Sequence, residues 1–405
     1  MKNLPFILGL SIAFSSTGFS VLGRDISIGM VVALIYMFAQ LGNINSLGLL
    51  SQKYGKVIFL PLAVIVLMLI NNILHSGIGN NTLFAMTYLM DYVLFLFVLM
   101  NTLSDETCVT KMLNGLTMGA TLMAVFYVLG IGVSDMITLD GDRFSVLGMN
   151  ANVLGLLETL AFIFSLNHII LNQEIKKPVT NGFYLVCIIL QLNMILSTAS
   201  RTAFLITGIT FVVSILLTNY SKKRKILFVA VGLSVFAAGL YYFIRNSDAI
   251  VLIRLLNGSD EGSMSGREMI WEELMPYVKN ASLFGQGETG YNIISRRIFG
   301  QYKSPHNELI FLMITVGIVG TIMMVWFWIA TFFRGFRRYR NTKDPIAILL
   351  IIPLLFAILS QQLLYEKFGW ISYAYMMVGA YSATRKRIIQ TAPRIKQVKN
   401  KTVTI

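Results

Sequence analysis

The chain is short of charge, of cysteine and of acidic residues. Charged residues make up 13% of its 405 positions, about half the share of an ordinary soluble domain. A soluble chain of this length divides into two or three domains, each with its own polar surface. The charges present would not cover even one such surface, which excludes the soluble and disordered classes. The only cysteines are Cys108, in a short connecting segment, and Cys187, inside an apolar run. Neither a disulfide scaffold nor a cysteine metal motif is available to them. No repeat or low-complexity segment is present. The N-terminus pairs Lys2 with an apolar stretch but lacks the small-x-small cleavage site of a signal peptide, so it reads as a retained first span.

What the chain has in excess is apolar sequence, at 56% hydrophobic residues and a mean hydropathy of +0.70. A membrane-spanning helix needs roughly 20 mostly apolar residues. Such runs lie at 4–23, 26–50, 57–74, 82–103, 112–133, 153–172, 183–199, 202–219, 226–244, 308–333, 346–364 and 369–384. The expected fold class is all-α and integral to the membrane: a polytopic bundle of about 12 transmembrane helices with one long, partly helical extracytoplasmic loop. The segments are then N-terminal spans in 1–133, a short outer loop at 134–152, central spans in 153–244, the long outer loop at 245–307, C-terminal spans in 308–384 and a basic cytoplasmic tail at 385–405.

The net charge of +14 invites a nucleic-acid reading, but the cations are not spread as nucleic-acid binding requires. With the N-terminus inside, 22 of the 33 Lys and Arg residues fall on inner segments, including Lys222–Lys225, Arg334–Lys343 and the tail from Arg385 to Lys401. The long outer loop carries seven cations and seven acids and is nearly neutral. This is the positive-inside bias of a membrane protein with an even number of spans and both termini cytoplasmic, and it removes nucleic acid as a partner. The basic tail reads as flexible and set against the anionic lipids of the inner leaflet.

Function is expected on the outer face, because long irregular segments in compact proteins are usually functional or disordered. The loop at 245–307 sets Trp271, Tyr277, Phe284 and Tyr291 among regularly placed apolar residues, which speaks against disorder. Arg201, in Ser200-Arg201-Thr202, joins two spans almost without a loop; it either reaches headgroups from a turn or holds a partner at the boundary. Ser265 and Glu268 have capping-box spacing, which predicts a helix starting near Gly266 and running through Trp271 toward Tyr277. Its N-terminus, with Arg267 in the first turn, suits phosphate oxygens; the alternative is an ordinary capped helix lying on the membrane. His306, in Ser304-Pro305-His306-Asn307-Glu308, is the one histidine of three that adjoins this loop. An imidazole there can take a proton from an attacking sugar hydroxyl, or simply serve as an interfacial hydrogen-bonder.

Arginines for a diphosphate and one base for a hydroxyl form a kit for glycosyl transfer from a lipid diphosphate. Ser200-Arg201-Thr202-Ala203, Ser265-Gly266-Arg267 with Trp271, Leu283-Phe284-Gly285-Gln286-Gly287, Pro305-His306-Asn307-Glu308 and the pair Gly317 and Gly320 follow in an order that resembles the O-antigen ligase and polymerase family. The stretch Arg143 to Gly155 resembles that family's outer loop before its sixth span, with Ala151 where Asn-Pro-Asn is usual in Met149-Asn150-Ala151-Asn152. The resemblance covers about 140–325.

The resemblance implies a GT-C type glycosyltransferase of the bacterial inner membrane that is inverting and metal-independent and needs no cofactor. Its donor would be an undecaprenyl-diphosphate-linked oligosaccharide and its acceptor a glycan or lipid, with a chain-length regulator as a further partner. By carry-over Arg201 and Arg267 hold the diphosphate and His306 is the base or orients the acceptor. Arg143, Asn152, Ser265, Trp271 and Asn307 are the associated substrate-binding candidates. A polymerase is slightly preferred to a ligase acting on lipid A–core.

Other signals carry less. Gly285, Gly287 and Gly290 spell Gly-x-Gly-x-x-Gly, but outside a βαβ unit that pattern does not mean dinucleotide binding; here it reads as flexible turns near substrate. Asp140 and Asp142 are a thin ligand set for a divalent ion. Asp91 and Glu158 lie at membrane depth, where ionisable residues are functional candidates; each either pairs inside the bundle or stays protonated. Asp91 keeps a transporter of lipid-linked glycan open as an alternative, although the internal repeat expected of a transporter is missing. Gly115 and Gly119 form a small-xxx-small packing face.

Overall fold

A computed structural model describes residues 2–21, 24–76, 83–138, 141–171, 178–198, 200–218, 220–246 and 267–378. The basic tail at 385–405, Ser265, Gly266 and Asp140 lie outside the described residues, as do most of the long loop before residue 267.

The architecture is a bundle of helices, as the apolar runs require: with no water to satisfy backbone groups in hydrocarbon, each span must hydrogen-bond internally. Among the described residues six helical stretches are long and apolar enough to cross a membrane: Lys56–His75, Ala85–Ser104, Cys108–Val128, Ala151–Ile170, Pro178–Ser197 and Gly317–Thr342. A seventh is the pair Ile28–Ala39 and Leu41–Tyr54, bent by 66° where the expectation was one span at 26–50. In chain order the helices are α1 (Leu4–Ile12), α2 (Ile28–Ala39), α3 (Leu47–Tyr54), α4 (Leu60–Ser76), α5 (Leu83–Ser104), α6 (Cys108–Val128), α7 (Ala151–Leu166), α8 (Pro178–Ser197), α9 (Arg201–Leu216) and α10 (Lys222–Asn246). After the undescribed stretch come α11 (Arg267–Lys279), α12 (Gly287–Phe299), α13 (Glu308–Thr315), α14 (Gly317–Thr342), α15 (Ile346–Leu349), α16 (Ile351–Ser360) and a last helix, α17, over 367–378.

Several expectations need correction. The bundle is helical, as expected of an all-α membrane protein, and carries two short hairpins that the sequence did not show: Gly18–Val21 pairs antiparallel with Arg24–Ser27 (β1, β2), and Val133–Thr138 with Gly141–Val146 (β3, β4). The first hairpin occupies the end of the apolar run at 4–23, so α1 stops at Ile12. The second turns the expected loop at 134–152 into regular structure. The run at 308–333 is broken between α13 and α14, where Gly317 adopts φ +67°. The run at 346–364 ends as helix at Ser360, leaving Gln361 and Gln362 in a polar turn. Hydropathy registers apolar composition, and a break that other segments hydrogen-bond leaves no trace in it.

The small-xxx-small face does pack. A Cβ on Gly115 or Gly119 would meet the backbone carbonyls of Phe6 and Leu10 on α1, so the two helices approach backbone to backbone. Asp91, fully buried on α5, lies 3.1 Å from the Lys367 ammonium on α17. Of the two readings of Asp91, pairing inside the bundle is the one seen, with a lysine from the last helix as partner. Glu158 is buried on α7, and among the described residues its carboxyl oxygens find no hydrogen-bond partner.

Candidate functional site

The turn before α13 collects the polar contacts expected of a site. Asn307 caps the helix, its Oδ1 accepting the N–H groups of Leu309 at 3.0 Å and Ile310 at 3.2 Å. The residue before it, His306, has φ +47°, left-handed backbone that costs an L-residue roughly 1–2 kcal/mol. Ser304 helps hold this conformation: its Oγ accepts the His306 N–H at 3.2 Å and donates its hydrogen to Gln362 Oε1 at 3.0 Å. On the other side the Trp271 indole N–H donates to the Pro305 carbonyl at 2.7 Å.

The helix expected near Gly266 is α11, beginning at Arg267 and passing through Trp271 and Tyr277. Arg267 and Trp271 are four residues apart and share a helix face. The arginine therefore sits one turn along the face that Trp271 directs at Pro305.

A second group of candidate residues meets this turn through the same glutamines. Asn150 caps α7, its Oδ1 accepting the Asn152 N–H at 2.9 Å. Ala151 is the first helical residue, a position where proline is favoured because its missing N–H has no intrahelical partner anyway, so the departure from Asn-Pro-Asn leaves the cap intact. The buried Asn152 offers its carbonyl to Gln361 Nε2 at 2.9 Å. One turn further along α7, a Cβ on Gly155 would lie 2.8 Å from the Ala203 Cβ and 3.4 Å from that of Ser200. Ser200 is the cap of α9 and Arg201 its first residue. The start of α9 thus lies against the start of α7, which in turn contacts the glutamine turn that holds Ser304. Arg201, Asn152, Trp271, His306 and Asn307 are brought to one end of the bundle, with Arg267 beside them.

Gln361 and Gln362 were not anticipated, since the apolar run at 346–364 absorbed them. Two adjacent amides ending an otherwise apolar helix were the available signal.

The Leu283-Phe284-Gly285-Gln286-Gly287 stretch, with Gly285 and Gly287 of the glycine pattern, is hydrogen-bonded to the ends of α13 and α14. It closes the break between α13 and α14: the N–H groups of Ile318 and Val319, left over at the start of α14, donate to the carbonyls of Ser282 at 3.2 Å and Leu283 at 3.0 Å. The Gln286 N–H donates to Ile314 O at 2.9 Å. Asn71 on α4 donates to the carbonyls of Phe284 and Thr315. Gly285, with φ +79°, has no room for a Cβ against the Thr315 and Gly317 backbone.

Asn72 Oδ1 then accepts the N–H of Glu288 at 2.6 Å and of Thr289 at 3.2 Å, capping α12 from another helix. The Glu288 carboxylate is buried and accepts from Tyr365 Oη at 3.1 Å, the Ala85 N–H at 3.2 Å and Asn72 Nδ2 at 3.5 Å. Burial pushes its pKa up to about 7 although these three donors pull it down. Glu308, fully buried at the start of α13, accepts the Leu364 N–H at 3.3 Å through Oε2, while Oε1 has no donor in hydrogen-bonding geometry among the described residues.

Of the remaining candidates, Arg143 lies on β4 opposite Met136, and Ser265 is outside the described residues. Asp140, half of the thin metal set, is outside them too. Among the described residues no three His, Cys, Asp or Glu side chains gather to hold a metal ion.

Residues 186–325 match the family model described as O-antigen ligase. The matched stretch takes in Arg201, Arg267, Trp271, His306 and Asn307, and leaves Arg143 and Asn152 outside it. No curated protein matches the chain.

Proposed function

For a membrane protein that carries an O-antigen ligase family domain, we propose that the end of the bundle bearing His306 transfers a glycan from undecaprenyl diphosphate to an acceptor hydroxyl on the outer side of the bacterial inner membrane. Arg201 and Arg267 bind the two phosphates, whose charge grows as the lipid diphosphate departs. His306 takes the proton of the attacking hydroxyl while the bond from the anomeric carbon to the diphosphate oxygen breaks, inverting that carbon in one step. The reaction so written needs no metal. Asn152, Ser265, Trp271, Asn307 and Arg143 line or shape the substrate path. Counting each broken helix pair as one crossing, the chain spans the membrane twelve times with both termini cytoplasmic, and a chain-length regulator is a partner.

The observation that carries this reading is a set of three hydrogen bonds linked through chain neighbours: Trp271 to Pro305, Ser304 to Gln362, and Gln361 to Asn152. Through the two unanticipated glutamines it ties the Ser304–Asn307 turn to Asn152, two segments that the sequence nominated separately. Polymerisation, with another lipid-linked repeat as acceptor, is the preferred form.

The test is made in cells. Arg201→Ala, Arg267→Ala and His306→Ala each abolish long glycan while the protein still inserts; near-normal glycan from all three sinks the assignment. Deletion separates the acceptors: a single repeat on core means a lost polymerase, bare core a lost ligase. Donor supplied only on the outer side of reconstituted protein separates transferase from transporter, because a transporter moves the donor and forms no product.

A further inference from the structure

Gln362 lies outside the matched family domain and outside every residue assigned a part in the chemistry, yet it stands two hydrogen bonds from the His306 backbone. Its Oε1 accepts the Ser304 hydroxyl hydrogen at 3.0 Å, and the Ser304 Oγ, oriented by that bond, accepts the His306 N–H at 3.2 Å. A hydroxyl has one hydrogen and two lone pairs, so Gln362 sets which way the lone pairs of Ser304 point. The backbone held this way is left-handed, at φ +47°, and such a conformation persists only where its surroundings over-determine it.

Gln362 is itself held from both sides. Gln361 is tied to the Asn152 carbonyl at 2.9 Å, and the Leu364 N–H to Glu308 Oε2 at 3.3 Å. Those anchors lie on α7 and α13, so the glutamine cannot drift without disturbing two helices.

We infer that Gln362 is a positioning residue that fixes the His306 imidazole relative to the acceptor through Ser304. The inference rests on the transferase reading above, in which His306 serves the acceptor hydroxyl. A misplacement of about 1 Å costs on the order of 100-fold in rate, whereas binding of the lipid diphosphate, assigned to the arginines, does not depend on this contact.

The experiment uses the purified full chain in liposomes and, as donor, lipid-linked glycan extracted from cells lacking the protein. Gln362→Leu and Ser304→Ala each lower kcat by about 10- to 100-fold and leave KM for the donor within about twofold of wild type. The double variant is no slower than the slower single one, because both break one chain of contacts. Ser304→Thr, which keeps the hydroxyl, recovers most of the rate. Wild-type kcat in Gln362→Leu, losses that multiply in the double variant, or a loss confined to KM overturns the inference. Should Gln362→Leu fail to fold, equal rates for Ser304→Ala and Ser304→Thr overturn it instead. A wild-type protein that neither joins glycan nor releases lipid diphosphate overturns the transferase reading itself, an outcome visible before any variant is made.

Discussion

The two ends of the helical bundle handle polar groups in opposite ways. At the end rich in cations, charge meets charge. The Arg338 guanidinium lies 2.8 Å from Asp344 and stacks 3.7 Å over the Tyr375 ring, Tyr375 Oη donates to the same carboxylate at 2.6 Å, and Lys111 pairs with Asp105 at 2.8 Å. Backbone groups join in, with Arg334 donating to the Tyr54 carbonyl. At the other end two carboxyls, Glu288 and Glu308, are buried with only neutral donors among their hydrogen-bond partners. There a histidine is held in left-handed backbone and a span is broken in two. The first end is arranged as a stable, orienting anchor. Left-handed backbone occurs at both ends, at Lys343 and at His306; what sets the second apart is a pair of buried carboxyls with neutral hydrogen-bond donors, a pattern associated with functional sites.

The sharpest way to break this contrast is at Gly317. Its φ of +67° and the Ser282, Leu283 and Gly285 backbone around it leave no space for a Cβ. Gly317→Ala is expected to cost about 3 kcal/mol or more, from left-handed strain plus overpacking, and to remove long glycan from cells. Gly48→Ala, in a helix with nothing within 4 Å of its Cβ position, is the control and should leave thermal unfolding in detergent unchanged or slightly raised. Equal behaviour of the two would show that the break in the span is not a fixed feature.

A smaller effect is expected at Glu288. Its folded pKa of about 7 lies above the ordinary 4.5, so the folded state binds the proton more tightly. Its stabilising contribution is complete below about pH 4.5 and is lost as pH rises to about 7. The whole swing is on the order of 3 kcal/mol. Glu288→Gln should flatten unfolding temperature against pH across that window, and an unchanged slope would assign the dependence elsewhere.

The least effect belongs to the cationic end. The Lys111 hydrogen bond, followed by those from Thr107, lowers the Asp105 pKa to about 2. Here the sign reverses: the contribution is present above about pH 4 and fades as pH falls toward 2. The pair is well exposed, so Asp105→Asn should cost under about 1 kcal/mol at neutral pH, and less in high salt. Thermal unfolding at low and high ionic strength measures it. A loss larger than that at Glu288 would invert the contrast between the ends.

How far the sequence could be read depended on the kind of signal. The helix of Arg267–Lys279 was legible because a capping box and apolar spacing are local. The close approach of α1 and α6 was legible at Gly115 and Gly119, since small residues four apart mark one face. The hairpin at β3 and β4 was not, because its strands sit inside a stretch read only as a connection. Nor was the break before Gly317: Thr315, Val316 and Gly317 are as compatible with continuous helix as with a gap, and the Ser282–Gln286 turn that satisfies the gap is 30 positions upstream. Asp91 was marked as buried and in need of a partner, but nothing near it in the chain pointed to Lys367.

That this protein lies in a membrane, and the expectation that its function lies away from the basic side, came from composition and charge placement alone. A bilayer imposes both requirements along the chain itself, one residue at a time. That Asn152, Trp271, Ser304 and His306 come to one end of the bundle, and that Gln361 and Gln362 join them, depends on how the last helices pack against the seventh and thirteenth. Such contacts are made between side chains up to 209 positions apart, and the geometry that brings them together exists only once the whole bundle has closed.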